Sequence, residues 1–381
     1  MQNMIHRTLE DRIKPLLGTR KAIIVTGARQ VGKSTLTHTL FASRDDVLWM
    51  DGDDPDIQRL FADMTSTRLR ILLGGKRFLV VDEAQRIPDI GLRLKLVTDQ
   101  VDGVQVVATG SSSFELTNRV NEPLTGRKCE FCMYPVTFSE MVGHTGLLDE
   151  LRLLPHRMVY GYYPEVVSNP GNERTVLKEL TDSYLYRDIL TIDGIGKPDK
   201  LARLLQALAF QIGSQVSYNE VGQLVGLDPK TVERYVEILE KSYILFRVGS
   251  FSRNLRNELK NSRKIYFWDL GIRNAVIGNL SQVESRSDTG ALWENFCIAE
   301  RRKLLAYGDS FAQSWFWRTQ QQNEIDYLEM EDGVLRAFEF KWNDRKGSAK
   351  APAAFSRAYP DTPFQVISPH NIDAFLLQQR E

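Results

Sequence analysis

The stretch "KAIIVTGARQVGKSTLTHTLF", residues 21–41, constrains the fold of this chain more than any other. It predicts a buried strand, a loop and a helix, and the loop fits G-x-x-x-x-G-K-[ST] without a mismatch. The glycines let backbone N–H groups face phosphates, and the N-terminus of the following helix points at the same anion. We therefore predict a nucleotide site formed by Gly27, Ala28, Arg29, Gln30, Val31, Gly32, Lys33, Ser34 and Thr35.

Four side chains have predicted chemical roles at such a site. Lys33 is expected to reach the β- and γ-phosphates of ATP, and Ser34 is expected to bind Mg²⁺. The apolar run "KRFLVVDEAQRIP" ends in Asp82 and Glu83. In P-loop ATPases the acid at the end of such a strand holds Mg²⁺, and the next acid polarises the attacking water. We assign these roles to Asp82 and Glu83, and the spacing from Lys33 predicts one strand and one helix in between.

A third predicted strand, "VQVVATGSSS", ends in the hydroxyls of Thr109, Ser111 and Ser112. These hydroxyls either sense the γ-phosphate or belong to a serine-rich turn.

Near the end of the chain, "NEIDYLEMEDGVLRAFEFKW" predicts a charged β-hairpin, because Asp332-Gly333 favours a two-residue type I′ turn. Paired residue numbers then sum to 665. Asp326 lies opposite Glu339, and Glu324 lies opposite Lys341, all on one face. The expected core face consists of Ile325, Tyr327, Phe338, Phe340 and Trp342. Opposed carboxylates repel unless a cation lies between them, and Mg²⁺ or Mn²⁺ is the natural candidate. The alternative is a surface hairpin with a Glu324–Lys341 pair.

The order Asp326, then Glu339-Phe340-Lys341, resembles the active-site hairpin of restriction-endonuclease-like nucleases. This resemblance implies that the acids hold a metal ion and that the lysine positions the attacking water. In such nucleases a further acid often comes from the preceding helix. Here Glu294, in "ALWENFCIAERRKLL", is the candidate third metal ligand.

The middle of the chain predicts a DNA-binding helix-turn-helix shape. "KLARLLQALAFQIG" is an amphipathic helix, "SYNEVGQLVG" begins with a Ser217 cap, and "TVERYVEILEKS" follows a tight turn. The candidate recognition helix presents Lys230, Thr231, Arg234 and Tyr235.

Beyond that helix, "ILFRVGSF" and "KIYFWD" are predicted to pair as a wing with a basic tip. The tip carries Arg253, Arg256, Lys260, Arg263 and Lys264 against the single acid Glu258. Such residues contact phosphates without sequence specificity. The alternatives are a protein–protein joint and a solvated charged loop.

The composition adds mainly exclusions. The 49 basic and 49 acidic residues cancel, so the case for nucleic acid depends on local patches. No apolar stretch approaches the roughly 20 residues that cross a bilayer. The charged start predicts no secretory signal, and three cysteines suit a cytoplasmic protein. Cys129 and Cys132 form a C-x-x-C that we interpret as strand cysteines.

Together with the runs "LTGR", "GYYPEVV", "YLYRDIL" and "KIYFWDLGIRNAV", these motifs resemble the bacterial and archaeal AAA-like ATPases with a winged-helix segment and a nuclease-like C-terminal domain. The resemblance spans essentially the whole chain. It implies an α/β protein: a P-loop NTPase domain of parallel sheet and flanking helices, an α-helical and winged-helix segment, and an α/β restriction-endonuclease-like domain. The predicted domains are the P-loop domain at residues 1–150, a helical connector at 151–200, the winged-helix domain at 201–284 and the restriction-endonuclease-like domain at 285–381.

The AAA resemblance also implies a homo-oligomer, with a ring as one form. In AAA-type ATPases an arginine in the region after the third strand, where Arg127 lies in this chain, reaches the nucleotide of the neighbouring subunit. Arg127 is the candidate and Arg119 the second choice, while an ordinary surface arginine is the alternative.

Two functions fit this sequence. The first is an ATPase that acts on DNA and carries a metal-dependent nuclease-like domain. The second is a regulatory or signalling ATPase whose nuclease-like domain is inactive and binds a partner or nucleic acid.

Overall fold

A computed structural model of the 381-residue chain describes residues 4–111, 124–182, 197–252, 262–343 and 350–377. Six residues named above lie outside these ranges: Ser112, Arg119, Arg253, Arg256, Glu258 and Lys260. The chain forms two compact units. The first unit consists of Met1–Pro135 and Lys241–Tyr243, and the second consists of Val136–Glu240 and Ile244–Glu381.

The first unit is built on a parallel five-stranded sheet in the order β2-β3-β4-β1-β5. Its strands are β1 (Ala22–Gly27), β2 (Val47–Asp51), β3 (Phe78–Asp82), β4 (Gln105–Gly110) and β5 (Lys128–Met133). Its helices are α1 (Thr8–Ile13), α2 (Lys33–Phe41), α3 (Pro55–Ala62), α4 (Ser66–Leu73) and α5 (Ile90–Gln100). The predicted parallel sheet with flanking helices is confirmed. One detail was wrong, because two short helices, α3 and α4, accompany β2 between α2 and β3.

The central strands of this sheet are buried along their length. Every residue of β1 and β4 is buried, as a parallel strand covered on both faces requires. The strands end at one edge of the sheet, because parallel strands share a direction. The loop after β1 and the acids after β3 therefore meet at that edge.

The second unit combines helices with a mixed seven-stranded sheet in the order β12-β11-β10-β9-β7-β8-β6. The strands are β6 (Gln215–Val216), β7 (Leu245–Ser250), β8 (Arg263–Phe267), β9 (Gln313–Arg318), β10 (Glu324–Glu331), β11 (Val334–Phe340) and β12 (Phe364–Ile367). The helices are α6 (Phe138–Thr145), α7 (Leu147–Tyr160), α8 (Pro164–Ser168), α9 (Glu173–Leu180), α10 (Pro198–Phe210), α11 (Tyr218–Val225), α12 (Pro229–Lys241), α13 (Leu270–Val276), α14 (Thr289–Tyr307), α15 (Ala353–Ala358) and α16 (Ile372–Leu376).

The strands expected in two separate domains form one sheet. β7 and β8 pair antiparallel, as predicted for the wing, and β7 also pairs parallel with β9. The predicted boundary between residues 284 and 285 falls between strands of this sheet. A fragment that began at residue 285 would leave β9 without its β7 neighbour.

The charged hairpin forms with the predicted turn and register. Asp332 and Gly333 have φ values of 51° and 80°, as a type I′ turn requires. The pairs from Glu331–Val334 to Tyr327–Phe338 all sum to 665.

The predicted core face of the hairpin is confirmed for Tyr327, Phe338 and Phe340, but it was wrong for Ile325. Ile325 packs with Trp317 and Leu328, whereas the Tyr327 ring contacts the rings of Phe338 and Phe340. The pairing of β10 with β9 shifts register between Ile325 and Leu328, and such an irregularity breaks the alternation of side chains.

The runs "GYYPEVV" and "WDLGIRNAV" meet in a buried network of the second unit. The Asp269 carboxylate accepts hydrogen bonds from the backbone amides of Tyr162 (2.6 Å) and Ile272 (3.0 Å). The Asn274 amide group donates to two carbonyls at the end of α7. A Cβ at Gly161 would overlap the Asp269 carboxylate. These runs are therefore explained by packing.

We predict that Gly161→Ala destabilises the chain by about 2 to 4 kcal/mol, because Gly161 has a φ of 74° and no room for a Cβ. Urea unfolding measures the change. Gly143→Ala is the matched control, since Gly143 lies in α6 with no atom near its Cβ position, and it should gain about 0.5 to 1 kcal/mol. Equal stabilities of the two variants would contradict the packing role of Gly161.

Candidate functional site

The phosphate-binding loop is held by close backbone contacts. A Cβ at Gly27 would overlap the Met133 carbonyl oxygen at the end of β5, so only glycine fits there. Gly32 precedes α2 with a φ of 96°, and Gln30 also has a positive φ, of 59°. The loop thus turns sharply from β1 into the N-terminus of α2. Ser34 is half-buried and Thr35 is exposed in the first turn of that helix.

Lys33 is folded back onto this loop. Its ammonium group donates to the carbonyls of Ala28 (2.8 Å) and Gly27 (3.2 Å). Burial lowers the pKa of Lys33 to about 8, against the opposing charges of Glu83 and Asp82. Lys33, Asp82 and Glu83 therefore lie close enough to interact electrostatically, as the sequence predicts. A bound polyphosphate would supply the anionic partner that this ammonium group now finds in backbone carbonyls.

The two acids after β3 are fixed by neighbouring side chains. Thr109 at the end of β4 donates to Asp82, and Gln85 donates to both Glu83 and Ser111. Glu83 has a φ of 45°, a strained value for a non-glycine residue. Gln85 is buried and holds the acid that was assigned to polarise water.

Arg7 is a contributor that the sequence analysis missed. Its guanidinium donates to the carbonyls of Val31 (2.8 Å) and Tyr134 (2.7 Å), and it is buried. Arg7 thereby connects the phosphate-binding loop to the end of β5. The two carbonyls lie 24 and 127 residues away from Arg7 along the chain, so no local pattern could have indicated these contacts.

Arg127 lies at the edge of the sheet opposite to the phosphate-binding loop. It directly precedes β5, its carbonyl accepts from the Ala22 amide at the start of β1, and it pairs with Asp99 (2.7 Å). β5 has six residues, which span roughly 17 Å. Arg127 is therefore remote from the loop that follows β1 in the same chain. Its half-exposed side chain is open to another molecule.

A second group of charged residues lies on the sheet of the second unit, and we call it the acidic cluster: Glu294, Glu324, Asp326 and Glu339. Lys264 of β8 donates to Glu294 of α14 (2.9 Å) and also contacts Glu324 of β10. The Tyr266 hydroxyl donates to Glu294 as well (2.6 Å). Burial alone would lower the pKa of Lys264, but Glu294 and Glu324 outweigh that effect and raise it.

The placement of Lys264 corrects a prediction. Lys264 was predicted to lie in an exposed basic tip, but its side chain is 1% exposed and lies between Glu294 and Glu324. Arg263 is also engaged, in an ion pair with Glu233 (3.3 Å) and over the ring of Tyr218. Both residues belong to β8 itself, where pairing with β7 fixes their direction.

The residues of the predicted nuclease-like motif do come together. The Asp326 carboxylate accepts the Phe340 amide (2.9 Å), and Glu339 pairs with Lys341 (2.6 Å). Burial, together with the charges of Glu294 and Glu339, raises the pKa of Asp326 well above its usual range. The Glu324–Lys341 pair of the surface-hairpin alternative does not form, because Glu324 contacts Lys264 and Arg318 instead.

The cluster is neutralised by cations of the chain. Within the described ranges, no three His, Cys, Asp or Glu side chains are arranged to enclose a metal ion. The donors are still of the kind that a hard divalent cation prefers, since they are carboxylates and the charges of Glu294 and Glu339 disfavour the charged form of Asp326. Asp326, Glu339 and Glu294 are the side chains that would hold Mg²⁺ or Mn²⁺, after Glu294 and Glu339 release their lysines.

The candidate recognition helix is α12. Asp228 caps it, accepting from the amide and the hydroxyl of Thr231. Lys230 and Arg234 are exposed, as a DNA contact requires, but Tyr235 is buried in the core. Tyr235 is therefore not available to read a base.

No helix among the described residues is long and apolar enough to cross a membrane.

Comparison with known proteins supports the class of the first unit. Residues 19–142 match the AAA domain family. Residues 151–283 and 289–374 match two domains of unknown function, DUF8612 and DUF4143. The chain thus contains an ATPase domain of the AAA type, for which ATP, usually with Mg²⁺, is the cofactor.

Two relatives and two solved structures match most, but not all, of this chain. An uncharacterized protein of Mycobacterium tuberculosis is 27% identical over 88% of this chain and 73% of its own length. One of Methanocaldococcus jannaschii is 21% identical over 85% and 75%. A Walker-type ATPase of Pyrococcus abyssi is 16% identical, covering 72% of this chain and 96% of its own, with a TM-score of 0.49. The Cdc6 protein of Pyrobaculum aerophilum is 15% identical over 74% and 96%, with a TM-score of 0.30.

We predict that Lys33→Ala abolishes ATP hydrolysis, because the loop loses the cation that faces the phosphates. Glu83→Gln should instead bind ATP normally and slow turnover, since it removes only the charge that polarises water. Nucleotide binding by fluorescence, together with phosphate release, separates the two effects. A normal turnover number in Glu83→Gln would show that Glu83 is not the catalytic acid.

Proposed function

We propose that this chain is an ATP-hydrolysing enzyme that acts on DNA, with Mg²⁺ at the phosphate-binding loop and a metal-dependent nuclease-like site in the second unit. The observation that carries the nuclease-like part is that Asp326 of β10, Glu339 of β11, Glu294 of α14 and Lys341 lie near enough for their charges to act on one another. A buried carboxyl group beside two others is costly unless it is protonated or neutralised by a cation.

DNA contact is proposed through α12. Lys230 and Arg234 are exposed on the second helix of a helix–turn–helix arrangement, one turn apart. The strands β7 and β8 follow this helix pair along the chain, which is the order that a wing requires. The predicted contacts Arg253, Arg256 and Lys260 are part of the same proposal. Arg263 and Lys264 are not, because each is engaged in ion pairs of the second unit.

A second candidate function has its own support. Lys264, Lys341 and Arg318 already neutralise three of the four acids. This arrangement favours an inactive nuclease-like domain in a regulatory ATPase, which binds a partner or nucleic acid without cleaving it. ATP hydrolysis in the presence of duplex, single-stranded and branched DNA distinguishes the two. Stimulation by DNA supports the first function, and no stimulation by any form contradicts it.

We predict that Lys230→Glu with Arg234→Glu weakens binding of all DNA sequences about equally. Each lost phosphate contact should also lower the slope of log affinity against log salt by about 1. Fluorescence anisotropy at several salt concentrations measures both effects. Arg152→Glu with Lys178→Glu is the control, because it makes the same charge change on exposed helix positions of the same unit. If both double variants lost the same DNA affinity, the change in net charge alone would explain the effect, and α12 would not be the contact surface.

We predict that the nucleotide-free full chain binds Mn²⁺ through the acidic cluster. Asp326→Ala should lose this binding in calorimetry, whereas Lys341→Ala should keep it and lose nicking of a supercoiled plasmid. Asp361→Ala, an exposed acid of the same unit, is the control. Metal binding without nicking in the wild type supports the inactive alternative. If the wild type binds no Mn²⁺, the metal site is wrong.

Arg127 is proposed to act on the nucleotide of a neighbouring subunit in a homo-oligomer, because its position before β5 excludes its own. We predict that mixing Arg127→Ala with Lys33→Ala chains restores part of the ATPase activity. A mixed interface can pair an intact loop with an intact arginine, which in other ATPases contributes 10³- to 10⁵-fold in rate. Co-purification of a tagged Arg127→Ala chain with an untagged Lys33→Ala chain verifies mixed assembly. Assembled mixtures that stay inactive would remove Arg127 from the site.

A further inference from the structure

Tyr243 belongs to a three-residue segment to which the sequence patterns assigned no function. The segment Lys241–Tyr243 is part of the first unit, whereas the rest of α12 before it and β7 after it are part of the second. Tyr243 has a φ of 57°, in the left-handed region that bulky side chains rarely adopt. Such a conformation persists only where the surroundings impose it, and these positions cluster at functional sites.

The Tyr243 hydroxyl lies at the start of the phosphate-binding loop. It is 2.8 Å from the hydroxyl of Thr26, the residue before Gly27. Thr26 is buried, and it is the register partner of Cys132 on β5. Burial raises the pKa of the Cys132 thiol to about 12, against hydrogen bonds from Tyr134 and Tyr243. Tyr243 thus contacts both strands at the point where β1 becomes the loop.

The same contacts continue to the far side of the loop. The Tyr243 ring packs edge-on against Tyr134, with ring centres 6.5 Å apart. Arg7 donates to the carbonyls of both Tyr134 and Val31. The loop is therefore held at its beginning through Thr26 and near its end through Val31. Tyr243 is the member of this network that is joined covalently to α12.

We propose that Tyr243 is a positioning residue that couples the phosphate-binding loop to α12. A change in α12 displaces Tyr243, the Thr26 contact shifts, and the backbone that supports Lys33 moves with it. The coupling to DNA rests on the proposed function, in which α12 contacts DNA. The link between Tyr243 and the loop does not.

Tyr243→Phe in the full chain tests the proposal, because it removes one hydroxyl and keeps the ring. We expect KM for ATP to rise about 3- to 10-fold, the range that one hydrogen bond supplies. We also expect DNA to stimulate the variant less than the wild type. Tyr235→Phe is the matched control, since it removes the hydroxyl of a buried tyrosine in α12 itself, and its KM should stay at the wild-type value.

A double variant separates positioning from general loosening. Thr26→Val removes the partner hydroxyl, and Thr26→Val with Tyr243→Phe should raise KM no further than the larger single change, because both variants break one contact. Additive effects would overturn the Thr26–Tyr243 link. So would an unchanged KM in Tyr243→Phe, or an equal change in Tyr235→Phe. A lower melting temperature with unaltered KM would leave Tyr243 a packing residue only, which also contradicts the proposal.

The experiments test the proposed DNA function and the link between Tyr243 and the loop separately. If DNA does not stimulate the wild-type enzyme, the proposed function is wrong, yet the KM comparison still decides whether Tyr243 positions the loop. If DNA stimulates the wild type and Tyr243→Phe alike, the coupling is wrong and the proposed function stands.

Discussion

The contact of Gly27 with the Met133 carbonyl is the constraint on which the nucleotide site depends. No side chain fits between β1 and β5 at this point, so the loop leaves the sheet in one direction only. That direction places Lys33 over the carbonyls of Gly27 and Ala28 and beside Asp82 and Glu83. The parallel strand order then brings Thr109 of β4 to the same edge, where it bonds Asp82.

The second unit is organised by charges that are held in pairs away from water. Arg301 and Glu329 form a two-pronged buried ion pair, with distances of 2.9 and 3.0 Å. Lys264 joins Glu294 to Glu324 in the same manner. Removing one member of such a pair leaves an uncompensated buried charge, which is more damaging than the pair is stabilising. Lys264 therefore serves the cohesion of the sheet, and this explains why it is not free to contact DNA.

Strained backbone occurs beside the chemistry of the first unit. Glu83 and Tyr243 both have positive φ values, and each is held by side-chain hydrogen bonds. In contrast, the tightly packed Gly161 and Asp269 of the second unit bond only to neighbouring backbone and serve packing. A sequence run that resembles those of a protein family can thus reflect a packing requirement rather than a catalytic one.

The sequence by itself determined the features that depend on neighbours along the chain. The strand–loop–helix around Lys33, the acids at the end of β3, and the turn and register of the 324–340 hairpin follow from local patterns, because turn chemistry and residue alternation are local rules. Only the tertiary structure decided the contacts of Arg7, Lys264 and Tyr243. Their partners lie at least 24 residues away along the chain, and what places them is the packing of strands and helices that no single segment encodes.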